Sequence, residues 1–289
     1  MAANRRLESK EHRLNKLIPL GVDERLSHFV EVIEPRRTLE DLVLSQQNQE
    51  ILAGLLHEFR HSDTLRRHAL TARSKLLFCG PPGCGKTITA EILAKDLGLP
   101  LFVARLDGII SSFLGETASN LRKTFDIANT HPCVLFLDEF DALARARSDN
   151  SEHNELRRVV NSLLMMIDHF RGRGFLIAAS NLEETLDSAV WRRFDEVMLF
   201  DLPKDKDIRR LLVLKTRNFK ADFPIEKKTM QLRGLSYADI ERICMNSIKR
   251  SILEGSRTIL ESEFESAVRE ERRRQAIRVR VKPRNPRGR

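Results

Sequence analysis

The stretch Gly80-Pro81-Pro82-Gly83-Cys84-Gly85-Lys86-Thr87 reads G-x-x-x-x-G-K-T, and it constrains the chain more than any other. Ahead of it, Ser74-Lys75-Leu76-Leu77-Phe78-Cys79 is a short apolar run suited to a buried strand. After it, Ile88 to Lys95 is helix-forming. Strand, glycine-rich turn and helix form the context this pattern needs. The glycines let the backbone wrap a phosphate with its N–H groups pointing inward. The helix N-terminus adds partial positive charge. In this arrangement Lys86 reaches the terminal phosphates of a nucleotide and the Thr87 hydroxyl serves magnesium. The plain alternative is a glycine-rich turn with no ligand, and the flanks weigh against it.

A chain of 289 residues with 41% hydrophobic residues can build one large or two smaller domains. No apolar run approaches the ~20 residues of a membrane helix. Met1 to Lys16 is charged and lacks the apolar core of a signal peptide. Cys79, Cys84, Cys133 and Cys244 are scattered, with no paired metal spacing. These features predict a soluble cytoplasmic protein with no membrane partner. The net charge of +9 is localised, because residues 272–289 hold nine Lys/Arg and no acid. Elsewhere 41 basic residues balance 41 acidic ones. Such a tail suits nucleic acid, an acidic protein patch or plain solvation.

Along the chain, 1–34 reads as a charged leader. Residues 46–59 carry apolar positions at helical spacing. Strand candidates follow at 74–79, 101–104, 133–137, 175–179 and 196–199, alternating with helical segments near 116–129 and 154–168. Cys133 to Leu137 is an unbroken apolar run, the composition of a parallel strand buried on both faces. The expected fold is therefore α/β: a three-layer domain with a five-stranded parallel sheet over 35–201. Beyond Asp201-Leu202-Pro203 only helices are legible, at 204–218, 226–232, 236–253 and 261–274. Ser236, with Asp239 three residues on, is placed to cap one of them. A small α-helical domain over 202–271 and a disordered basic tail over 272–289 complete the expected organisation.

Hydrolysing a nucleoside triphosphate needs a phosphate cradle, a magnesium, an oriented water and cations for the developing charge. Asp138 ends the Cys133–Leu137 run and suits the metal. Glu139, beside it, can orient and polarise water. Acids ending a strand are commonly just solvated, but following a P-loop they gain this reading. Ligands sit beyond the carboxyl ends of parallel strands, where all these segments end. Asn181 closes the next strand and can hydrogen-bond a phosphate or the water; its plain alternative is a turn-forming residue.

Taken together, these segments resemble the AAA family of P-loop ATPases within the wider AAA+ group. The resemblance rests on Gly80 to Thr87, Phe113-Leu114-Gly115-Glu116-Thr117, Leu137-Asp138-Glu139-Phe140-Asp141 and Asn154 to Asn161. It continues through Ala179-Ser180-Asn181, Leu186 to Asp195 and Gly234-Leu235-Ser236-Tyr237-Ala238-Asp239, in the family's order over about 35–270. It implies a P-loop NTPase domain with a helical lid, ATP and Mg2+ as cofactors, and a single module working as a homo-oligomer, a hexamer. It implies nucleotide contacts by Gly80 through Ile88, and metal roles for Thr87 and Asp138. Glu139 would be the catalytic acid and Asn181 the sensor. Arg192 and Arg193 match the paired arginines that reach a neighbouring subunit's nucleotide. Asp41-Leu42-Val43-Leu44 is similar to the adenine-contacting segment, which implicates Val43, although Leu44 stands where glycine is usual. Ala238 stands where relatives outside this branch place a second sensor arginine. Phe113, Leu114 and Gly115 resemble the aromatic pore loop that grips an unfolded polypeptide, since ring contact tolerates any sequence.

The resemblance thus implies remodelling or threading of a protein client through a central pore. No His-Glu-x-x-His motif supplies a built-in zinc protease, so recognition is expected in the termini or a separate partner. Cys84 inside the P-loop invites the expectation that alkylation blocks ATP binding. Two other readings stay open: a DNA-directed ATPase using the basic tail, and an ATP-gated scaffold with little turnover.

Overall fold

Strand residues alternate between two apolar environments, and both are filled. The computed structural model describes residues 30–106, 114–141, 153–181, 186 and 188–281. Its chain forms two compact units: Met1–Pro81 with Lys86–Phe200, and Pro82–Gly85 with Asp201–Arg289.

In the first unit a six-stranded sheet has the order β1-β3-β4-β5-β2-β6. The strands are β1 (Val30–Ile33), β2 (Lys75–Cys79), β3 (Leu101–Arg105), β4 (Val134–Asp138), β5 (Phe175–Ser180) and β6 (Glu196–Leu199). Five run parallel, as the alternation of strands and helices predicts, and β1 joins the edge antiparallel to β3. This strand falls within 1–34, the stretch whose sequence reads as a charged leader. Val30, Val32 and Ile33 are only half-buried, so the edge carries too little apolar signal to stand out.

Leu77, Leu135, Leu137, Leu176 and Ala178 face one helix layer. There they meet Leu121 and Phe125 of α3 (Leu114–Thr130) and Val160, Leu163 and Ile167 of α4 (His153–Asp168). The intervening Leu76, Phe78, Phe136, Phe175 and Ile177 are also fully buried. Phe175 stacks on Phe59 of α1 (Gln46–Arg60), with ring centroids 5.5 Å apart. Burial on both faces explains the uninterrupted apolar strands. At ~25 cal/mol per Å2, each large side chain so placed contributes on the order of 1.5–3 kcal/mol.

Register brings the chemistry-bearing ends together. Cys79 of β2 pairs with Ser180 of β5, and Leu137 of β4 pairs with Ala178 of β5. Gly80, Asp138 and Asn181 therefore leave neighbouring strands at one edge. The sheet exits here as the switch-point rule requires, because β2 lies between β5 and β6 while the chain continues to β3.

The second unit is chiefly helical: α5 (Asp205–Thr216), α6 (Tyr237–Leu253) and α7 (Glu261–Val281), with a two-residue parallel pair β7 (Lys220–Ala221) and β8 (Thr258–Ile259). That pair is too short to show alternation in sequence. Ser236 caps α6 as predicted: its Oγ accepts from Asp239 N–H at 3.2 Å, and Asp239 accepts from Ser236 N–H at 3.2 Å. Burial opposes ionisation of Asp239, but the Ser236 hydrogen bonds and the Arg242 cation outweigh it and hold the carboxyl below its usual range.

The expectation of disorder from residue 272 is corrected, because α7 runs on to Val281. Arg242 pairs with the buried Glu271 at 2.6 Å, and Arg272 donates to the carbonyls of Gln231 at 2.9 Å and Arg233 at 2.8 Å. Arginine is a good helix former, and cations suit a helix C-terminus. No helix among the described residues is long and apolar enough to cross a membrane.

Candidate nucleotide site

The P-loop follows β2 directly. Gly80 has φ +141°, and a Cβ there would lie 2.2 Å from the carbonyl oxygen of Phe200. Only glycine fits that approach. Gly83 and Gly85 also have positive φ, and Ala238 N–H donates to Gly83 O at 3.0 Å. Pro81 is half-buried and Pro82 exposed. Cys84 is 3% exposed, so access to its thiol is restricted.

At Lys86 the helix α2 (Lys86–Leu97) begins. Lys86 is 7% exposed. Its ammonium donates to Gly80 O at 2.6 Å, Pro81 O at 3.1 Å and Asn181 Oδ1 at 2.8 Å. A buried ammonium needs such partners. Here they fix its head between the exits of β2 and β5, beside the loop's backbone. Thr87 is exposed on the first turn and Ile88 is half-buried.

Asp138 ends β4, and its Oδ1 accepts the backbone N–H of Glu139 at 2.9 Å. Glu139 has φ +55°, a left-handed conformation uncommon for glutamate. This turn lets Phe140 N–H reach Ala179 O at 2.8 Å. Phe140 is fully buried and meets Phe194 edge-on, with centroids 5.9 Å apart. Asp141 belongs to this site although its sequence suggested no role. It is buried, and its Oδ1 accepts Asn181 N–H at 3.2 Å. Its place in the acidic run after β4 was the available signal.

Arg192 and Arg193 follow a single helical turn, Ser188–Trp191, and they differ. Arg192 is exposed. Arg193 donates through Nε to Asp168 Oδ2 at 3.1 Å and also to Ala189 O. Asp195, next in line, accepts the N–H groups of Ser74 and Lys75 at 2.9 Å each. Val43 and Leu44 are buried in the segment entering α1. Asn48 then ties that helix to Leu199 O at 2.8 Å. Phe113 lies outside the described residues. The backbone of Leu114 and Gly115 opens α3.

A hard dication is suited to the oxygen donors of Thr87 and Asp138. A polyphosphate is suited to the backbone N–H groups of the glycine-rich loop and to the Lys86 ammonium beside it. Fold and site together define a P-loop nucleotide-binding domain.

Residues 76–202 match the family described as "ATPase family associated with various cellular activities (AAA)". An uncharacterized AAA family ATPase of Sinorhizobium fredii is 52% identical over 282 residues, covering 98% of this chain and 85% of that one. A protein of Methanothermobacter thermautotrophicus, named as a homolog of a 26S proteasome regulatory subunit, is 31% identical over 81% of this chain and 63% of its own length. One named as a cell division cycle ATPase of Plasmodium falciparum is 28% identical over 84% of this chain, but only 20% of its own length. This chain belongs to the AAA family of ATPases. Membership brings ATP binding and, in general terms, ATPase activity.

Proposed function

We propose that the chain is a Mg2+-dependent ATPase that works as a homo-oligomer, a hexamer, and remodels or threads a protein client. The observation that carries the ATPase reading is the Lys86 ammonium, held at 2.8 Å from Asn181 beside the P-loop carbonyls. In this reading the P-loop amides and Lys86 bind the phosphates. Thr87 and Asp138 hold the metal, which when bound offsets phosphate charge. Glu139 accepts a proton from water and aims it, while Asn181 orients the phosphate end. Arg192, exposed beyond the sheet, serves the nucleotide of a neighbouring subunit. Arg193, committed to Asp168, holds the turn that presents it.

A protein client is supported by the Phe113-Leu114-Gly115 sequence and by the relative named for a proteasome regulatory subunit. The basic segment from Arg272 supports a second reading, a DNA-directed ATPase. DNA affinity that falls steeply with salt and vanishes on deleting 272–289, with DNA-stimulated turnover, would favour it.

Turnover assays on wild type, Glu139→Gln and Lys86→Ala, with sizing in ATP and magnesium, test the main proposal. Glu139→Gln should bind ATP and accumulate as an oligomer without turnover. Mixing Arg192→Ala with Lys86→Ala subunits should partly restore turnover through shared interfaces. A wild-type protomer that stays single in saturating ATP and magnesium while turning over fully would refute the shared site.

A further inference from the structure

Hydrogen bonds across the sheet edge continue past the point where the strand ladder stops. Paired register between β4 and β5 ends at Leu137 and Ala178. Beyond it the chain crosses the gap with Phe140 N–H to Ala179 O at 2.8 Å, and with Asn181 N–H to Asp141 Oδ1 at 3.2 Å. The first crossing uses backbone alone. The second depends on one side chain, and that side chain is a carboxylate only 4% exposed. Asn181 then uses its own side-chain oxygen to accept from Lys86 at 2.8 Å. A continuous series of bonds thus runs from the turn holding Glu139, through Asp141 and Asn181, to the P-loop lysine.

We propose that Asp141 is a positioning residue of the nucleotide site. It holds the Asn181 backbone so that the amide oxygen meets Lys86, and it ties the Glu139 turn to the P-loop. The proposal rests on reading the site as an ATPase centre. A carboxylate is a stronger acceptor than a neutral oxygen, and the part-buried Asn181 N–H takes it in preference to water. Without Asp141 the Asn181 amide turns toward water or another carbonyl, and its side chain leaves the lysine. Asparagine at 141 keeps an acceptor oxygen in the same place, whereas alanine does not.

The test uses the full chain as wild type, Asp141→Ala, Asp141→Asn, Asn181→Ala and the Asp141→Ala/Asn181→Ala double variant. Amide hydrogen exchange at Asn181 needs no turnover. Its protection should fall ~10-fold or more in Asp141→Ala and stay within ~3-fold of wild type in Asp141→Asn. In ATPase assays Asp141→Ala should lose on the order of 10- to 100-fold in kcat with KM within ~3-fold, while Asp141→Asn stays close to wild type. The double variant should be no slower than Asn181→Ala, because both changes break one series of bonds. Unchanged protection of Asn181 in Asp141→Ala would overturn the proposal, as would losses that multiply in the double variant. If Asp141→Ala does not fold, Asp141→Asn decides: wild-type protection and kcat support the proposal, and loss of either overturns it. A wild type that fails to hydrolyse ATP refutes the ATPase reading instead, and the exchange measurement still decides what Asp141 holds.

Discussion

Replacing Gly80 by alanine should destabilise the chain well beyond the usual cost of a positive φ. The φ of +141° alone costs an L-residue ~1–3 kcal/mol. The new Cβ would also lie 2.2 Å from Phe200 O and 2.8 Å from its carbonyl carbon. Those are backbone atoms, anchored where Phe200 N–H donates to Cys79 O at 2.7 Å, so no flexible side chain can swing aside. The forced shift adds ~1–3 kcal/mol. The total of ~2–6 kcal/mol is a large share of the ~5–15 kcal/mol that holds a domain together. At ~2–4 °C per kcal/mol, the melting temperature falls by ~4–24 °C. Gly98 is the control. Its φ is +67°, but a Cβ there meets nothing within 4 Å. Gly98→Ala should cost only ~1–2 kcal/mol, or ~2–8 °C. Calorimetric melts of both variants in one buffer make the comparison. Gly80 O also accepts from Lys86 at 2.6 Å, so Gly80→Ala should weaken nucleotide binding while Gly98→Ala leaves it intact. Equal melting losses in the two variants would refute the close approach to Phe200.

Three further outcomes follow from the same structure. Lys86→Ala removes the ammonium held beside the P-loop carbonyls, and the loss of one charged hydrogen bond to a phosphate, ~1.5–3 kcal/mol, should weaken ATP binding at least ~10-fold by titration calorimetry; an unchanged Kd would remove Lys86 from the site. Burial pushes the Cys133 and Cys244 thiols up to about 12, so both stay protonated near neutral pH and should react with a thiol reagent only after unfolding, as peptide-resolved labelling will show. Asp239 has a lowered pKa, so its stabilisation is complete above the ordinary carboxylate value of ~3.9 and is lost as pH falls below it; melts between pH 3 and 6 should show a steeper acid loss in wild type than in Asp239→Asn, and parallel curves would argue against that stabilisation.

The parallel sheet was legible because each of its five strands is a continuous apolar run closed by polar residues. The P-loop and the Ser236 cap were legible because their partners lie within a few residues. Longer-range partners were not. Asp141 serves an amide forty positions away, and its place in the acidic run after β4 hints at the site without revealing that partner. The two adjacent arginines look alike in sequence, and only the fold brings Asp168 to Arg193 and leaves Arg192 exposed. The end of α7 was misread because charge density alone suggests solvated coil. What keeps it helical is tertiary: Arg272 rests on carbonyls some forty residues earlier in the chain. Strand β1 escaped because four residues at a half-covered edge need little apolar content.

Asp195 bonds twice to the start of β2, and Gly80 leaves that strand's far end. Between them stands a rigid strut five residues long, ~16 Å at the usual rise per residue. Packed apolar on both faces, it has no slack to absorb a push. The phosphate-side loop and the arginine-bearing corner are thus the two ends of one short, buried strand.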